Sequence, residues 1–154
     1  MTDRPLLVSL DADVWIQALA RQPGHRIADQ LLRAAARGDI ALVASWLLRV
    51  ELQKDPASDT PAEVVATVDS ILDGAVIQWV EVDRRVALRA RELSRELSRP
   101  LRSADAVHLA TAVLAGADYF MAFDGRYPFG SVIGTCRVRR PEVVWTPTLD
   151  DAAE

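Results

Sequence analysis

The sequence predicts a three-layer α/β/α sandwich around a mostly parallel sheet of four to five strands. Three observations predict it. Short apolar runs at residues 6–10, 40–44, 76–82 and 119–123 have the length and composition of buried strands. Segments with helical spacing separate them, as parallel crossovers require. Acidic residues stand directly after the first and fourth runs, at Asp11 and Asp124. In open parallel sheets, ligands bind at those carboxyl ends of strands.

Each element has its own signal. The first strand ends at Asp11, and a short helix follows over residues 14–20, closed by the turn Gln22-Pro23-Gly24. Ile27, Leu31, Leu32 and Ala35 recur at helical spacing, with Gly38 in the position of a helix C-cap. After the second strand, Ser45 can cap the helix that carries Trp46, Val50 and Glu51. Residues 55–61 read as a loop, and Thr60 with Glu63 forms a capping box with Pro61 at the first helical position. Val64, Val68, Ile71 and Leu72 give that helix its buried face. Asp83 caps a helix with the stripe Val86, Ala90, Leu93 and Leu97, which Pro100 ends. Ser103 opens a helix running to about Ala115, and residues 130–138 supply a fifth strand. Residues 1–146 therefore read as one domain, with a loosely ordered acidic tail at 147–154.

Composition excludes several function classes. The chain has 154 residues, with 18 Lys and Arg against 22 Asp and Glu, for a net charge of −4. Binding of nucleic acid through bulk positive charge is disfavoured. One cysteine, Cys136, and two histidines, His25 and His108, cannot form a disulfide or a Cys/His zinc site. No stretch approaches the roughly 18 uninterrupted apolar residues of a membrane span. Residues 1–10 do not fit a signal peptide. The expectation is a cytoplasmic protein that does not engage a membrane.

Four acidic residues stand where a purely structural reading is awkward. Asp11 and Asp124 end strands, Glu51 lies among Leu48, Val50 and Leu52, and Asp105 opens an otherwise nearly apolar helix. Buried carboxylates are costly unless paired, hydrogen-bonded or metal-bound. If the four meet at one crevice, a hard divalent cation, Mg²⁺ or Mn²⁺, resolves their repulsion. Such ions serve phosphoryl chemistry. Taken singly, Asp11 and Asp105 also suit helix N-termini, Glu51 a solvated helix face and Asp124 a turn.

These residues resemble the motifs of PIN-domain nucleases. The run Leu7 to Ile16 is similar to their opening strand and turn, and Ser45 to Glu51 to their second motif. Ser103-Ala104-Asp105-Ala106-Val107-His108-Leu109-Ala110-Thr111-Ala112 closely matches the third and most specific motif, and Phe120 to Asp124 resembles the fourth. A bare domain of this length looks most like a VapC-type toxin of a bacterial toxin–antitoxin pair. The resemblance implies that Asp11, Glu51, Asp105 and Asp124 are catalytic and hold Mg²⁺ or Mn²⁺. It implies in-line attack of water on an RNA phosphodiester, a small cognate antitoxin as partner, and a homodimer. Two positions depart from the pattern. Asp13 stands where the family usually has Asn, as a further ligand or as a holder of the active-site loop. Ala122 stands where a Thr or Ser often occurs. Arg102, Arg126 and Ser45 are the candidate substrate contacts; His108 reads as a buried, packed histidine.

Two alternatives start from the same residues. Asp11-Ala12-Asp13-Val14 also fits the opening of haloacid-dehalogenase-like phosphatases, with Asp11 as nucleophile and Asp13 as general acid; the single Lys54 is then on the wrong segment. The other alternative is a catalytically weak PIN module that acts by binding RNA or protein.

Overall fold

The computed structural model describes residues 4–52, 61–74, 76–149 and 151. Thr60 of the expected capping box, Lys54 and residues 55–59 of the expected loop lie outside them. The elements in chain order are β1 (Leu6–Leu10), α1 (Ala12–Leu19), α2 (His25–Arg37), β2 (Ile40–Ser45), α3 (Leu47–Glu51), α4 (Ala62–Asp73), β3 (Ile77–Val80), α5 (Arg84–Glu96), α6 (Ser103–Leu114), β4 (Tyr119–Met121), β5 (Val132–Ile133) and β6 (Cys136–Arg139).

The strands form one sheet in the order β3-β2-β1-β4-β6-β5. Every pairing is parallel except β5 with β6. The single strand expected at 130–138 is thus a hairpin. Its two-residue loop begins with Gly134 at φ 62°, the position where a tight hairpin turn favours glycine.

Two cores flank the sheet. Leu31, Leu32, Val68, Ile71 and Trp15 pack on one face, from α1, α2 and α4. Val86, Leu93, Leu109 and Phe120 pack on the other, where α5 and α6 lie. The helix stripes read from the sequence point inward as expected. Gly38 ends α2 at φ 84°, and Asp83 Oδ1 accepts from the Val86 N–H at the start of α5. Asp151, near the C-terminus, accepts from Arg37, the Trp145 indole and Thr148.

The strand order positions the site. From β1 the chain steps outward to β2 and β3, then returns to place β4 on the other side of β1. That reversal leaves a crevice between the carboxyl ends of β1 and β4, because their crossover helices lie on opposite faces. Register fixes the two ends together: Leu10 pairs with Met121, and the Asp11 N–H donates to the Met121 carbonyl at 2.9 Å.

Candidate active site

Asp11 does not act as a side-chain cap for α1; only its backbone carbonyl serves the helix start. The residue is 5 % exposed, and its carboxylate instead accepts a hydrogen bond at Oδ1 from the Tyr127 hydroxyl at 2.8 Å. Burial raises the Asp11 pKa above the usual carboxylate range, and neighbouring Asp105 adds to the rise; His108 and Tyr127 oppose it. The same environment pushes the Tyr127 pKa far up, so Tyr127 stays a donor.

Asp13, in the first turn of α1, points back across the crevice. Its Oδ2 accepts from the N–H groups of Phe123 and Asp124, at 3.0 and 2.9 Å. Its Oδ1 is buried with no hydrogen-bond partner. Burial and the charge of Asp11 raise its pKa to about 6, against the two backbone donors. Of the two roles expected for Asp13, the loop-holding contact is present.

Asp124 follows β4 and accepts from the Arg126 N–H at Oδ1, 2.9 Å away. Asp105, half-buried in the first turn of α6, has its pKa raised chiefly by burial, with Asp124 and Glu51 adding to it. Glu51, the last residue of α3, lies 2.5 Å from His108 Nε2. His108 is buried one turn beyond Asp105. Burial lowers its pKa, but the Glu51 carboxylate and the charges of Asp11 and Asp105 outweigh that and raise it overall. The packed histidine of the sequence reading is buried as expected, and it also holds an acidic partner.

The candidate substrate contacts fare differently. Arg102 and Arg126 are exposed beside Asp105 and Asp124. Ser45 is 1 % exposed and presents no surface to a substrate; its Oγ accepts from the Leu47 N–H at the start of α3. Ala122 is fully buried. On α5, Glu92 and Glu96 pair with Arg89 rather than with Arg84, Arg91 or Arg95. Tyr127 was missed by sequence reasoning. Its only signal is an aromatic with a polar tip in a Gly- and Pro-containing turn, which usually marks a surface residue.

The structure therefore gathers Asp11, Asp13, Asp105 and Asp124 at one crevice, with Glu51 reaching it from α3. A family model for the PIN domain matches residues 8–131. The chain belongs to the PIN domain family. Solved structures similar to this PIN domain include VapBC2 from Rickettsia felis bound to a DNA fragment from its promoter, with TM-score 0.60 and 13 % identity over 89 % of this chain and 100 % of that one. Mycobacterium tuberculosis VapC20, described as a sarcin-ricin loop cleaving toxin, aligns with TM-score 0.51 and 21 % identity over 77 % of this chain and 90 % of that one. FitAB bound to an IR36 DNA fragment aligns with TM-score 0.53 and 18 % identity, over 87 % and 94 %. No curated protein matches. At these identities the solved structures speak for the fold.

The carboxylates of this PIN domain fit a hard divalent cation in their donor chemistry. The donors are acidic oxygens, Asp13 Oδ1 is buried and unpartnered, and Asp11, Asp13 and Asp105 all have raised pKa values. Among the described residues, no three acidic, histidine or cysteine side chains are gathered tightly enough to enclose a metal as they stand. As they stand, Asp11 accepts from Tyr127, Glu51 pairs with His108 and Asp124 accepts from the Arg126 N–H.

Proposed function

We propose that this PIN domain is a Mg²⁺- or Mn²⁺-dependent endoribonuclease, acting as a VapC-type toxin and neutralised by a small cognate antitoxin. The observation that carries the reading is the convergence of Asp11, Asp105 and Asp124, with Glu51, at the crevice between β1 and β4. Burial has raised the pKa of Asp11 and Asp105 there. Keeping such a group serves no stability purpose, because each buried charge opposes the next. The VapBC2, VapC20 and FitAB structures support the toxin reading by fold. A homodimer in the cytoplasm is the accompanying expectation; among the described residues no helix is long and apolar enough to cross a membrane.

Asp11, Glu51, Asp105 and Asp124 would hold the cation, which when bound supplies positive charge for the phosphate and for the attacking water. The chain's own residues prepare that site. Tyr127 fixes the rotamer of Asp11 through its hydroxyl. His108 donates from Nε2 to Glu51 and so orients the carboxylate that comes from α3. Asp13 ties the α1 start to the Phe123–Asp124 backbone, which keeps the ends of β1 and β4 at a fixed separation.

The test is cleavage of bacterial total RNA with and without Mg²⁺ by wild type, Asp11→Asn and Asp105→Asn. Wild type should cut only with the cation, leaving 5′-phosphate ends, and both variants should lose at least 100-fold in rate, on the order of the loss expected for a charge-stabilising group. Activity retained in both variants overturns the reading. Growth arrest on expression, relieved by co-expression of the adjacent small reading frame, tests the toxin role.

A further inference from the structure

The carboxylate crevice has a neighbour of opposite character. A cavity of about 310 Å³ opens between the end of α5 and the turn that follows Asp124. Arg99 contributes from the first segment, and Arg126, Tyr127 and Phe129 from the second. No carboxylate lines it. In a chain with more acidic than basic residues, this is a local reversal of sign. Among the described residues neither Arg99 nor Arg126 has a hydrogen-bonded or ion-paired side chain, and both are exposed. By contrast, Arg4, Arg21, Arg37, Arg49 and Arg89 each pair with an acid.

The cavity is joined to the site through single residues. Tyr127, which lines the cavity, donates to Asp11. Arg126, which also lines it, donates through its backbone N–H to Asp124 Oδ1. The turn is held in place: Arg140 donates to the Phe123 carbonyl at 2.9 Å, its guanidinium lies 4.7 Å from the Phe129 ring centre, and the Gly130 N–H donates to the Val138 carbonyl. The walls are thus pre-formed, and binding would not have to order them.

We propose that this cavity is a subsite for the RNA strand beside the cleaved bond, with Arg99 and Arg126 as a guanidinium pair for the flanking phosphodiester. The inference rests on the ribonuclease reading above. Arginine forks match phosphate oxygens bidentately, and a cavity near 300 Å³ is at the small end of ligand clefts, suited to one nucleotide unit. Contiguity with Asp11 and Asp124 favours a strand already seated at the crevice over an acidic protein segment. The subsite also gives an acidic protein a way to hold a polyanion, because the attraction is concentrated at one position.

The experiment uses a fluorescein-labelled 12-nucleotide single-stranded RNA of randomised sequence, with binding measured in the Asp11→Asn background. Arg99→Ala and Arg126→Ala are compared with Arg4→Ala, which removes the same charge at the amino end of β1. Each cavity variant should flatten the dependence of log affinity on log salt by about 0.7, the single-strand value for one phosphate contact. In the Asp11-containing enzyme each should raise KM for RNA cleavage several-fold with little change in kcat. Arg4→Ala should do neither. If wild type cuts RNA but the cavity variants behave like Arg4→Ala, the subsite is overturned and the ribonuclease reading stands; an acidic protein occupant would give this outcome. If wild type neither binds nor cuts RNA, both fall.

Discussion

Tyr127 donates its hydroxyl hydrogen to Oδ1 of Asp11 across 2.8 Å, and so joins the turn after β4 to the end of β1. The bond satisfies a buried carboxylate and holds the Asp11 pKa lower than burial alone would leave it. Tyr127→Phe removes only the hydroxyl and keeps the ring that packs on Phe120, 4.8 Å away. The variant should lose about 1–3 kcal/mol of stability, the cost of stranding a buried acceptor. Its rate–pH profile should shift its acid limb to higher pH, because Asp11 then ionises less readily. Urea unfolding and a pH–rate profile check the two parts; an unmoved acid limb would show that the bond is structural only.

His108 and Glu51 make a second such pair. His108 has a folded-state pKa raised above its ordinary value. Its stabilisation is therefore fully present below about pH 6.5 and is lost as pH rises through the higher folded value. His108→Gln should cost more stability at pH 5.5 than at pH 9. Unfolding free energies at both pH values measure this, and an equal loss at each would remove the ion pair from the account.

Asp13 distinguishes loop-holding from metal binding. Asp13→Asn keeps an oxygen for the Phe123 and Asp124 N–H groups and removes a charge whose pKa is raised to about 6. A carboxyl raised in the folded state favours folding at low pH, and that advantage fades as pH rises from about 4 through about 6. The Asn variant should therefore be about 1–2 kcal/mol more stable than wild type at pH 7.5, after allowance for solvent screening, and gain little at pH 4. Cleavage should stay within about threefold of wild type, while Asp13→Ala loses more because the backbone contacts go. A loss of more than 100-fold in Asp13→Asn would make it a ligand.

Divalent cation should act on stability as well as rate. Asp11, Asp13 and Asp105 are all raised by burial and by neighbouring carboxylates, so the metal-free fold is destabilised as pH rises through their titrations. Mg²⁺ or Mn²⁺ at millimolar concentration should raise the unfolding midpoint at pH 8 and have less effect at pH 5, where protons compete. Thermal unfolding with and without chelator tests it. An equal rise in Asp11→Asn would place the cation elsewhere.

Much of the fold was legible because its signals are local. Apolar run length marked β1, β2 and β4, inward stripes marked α2, α4 and α5, and Asp83 and Gly38 marked helix ends. The hairpin of β5 and β6 was read as one strand, since a two-residue loop around Gly134 hardly interrupts the apolar pattern. Arg89 pairs with both Glu92 and Glu96, a choice that side-chain spacing on α5 alone does not fix, because it does not decide which rotamers meet.

The sequence by itself determined the layer architecture, the PIN motifs and the acidic residue types offered to the crevice. Periodicity and motif spacing are properties of neighbours along the chain. Only the tertiary structure decided which groups hold those carboxylates. Tyr127 reaches Asp11 across 116 positions and His108 reaches Glu51 across 57. Those contacts, and the meeting of Arg99 with Arg126 around one cavity, exist because parallel strand order brings distant carboxyl ends together. No local pattern encodes such a contact, since its energy comes from burial and geometry that arise when the sheet closes.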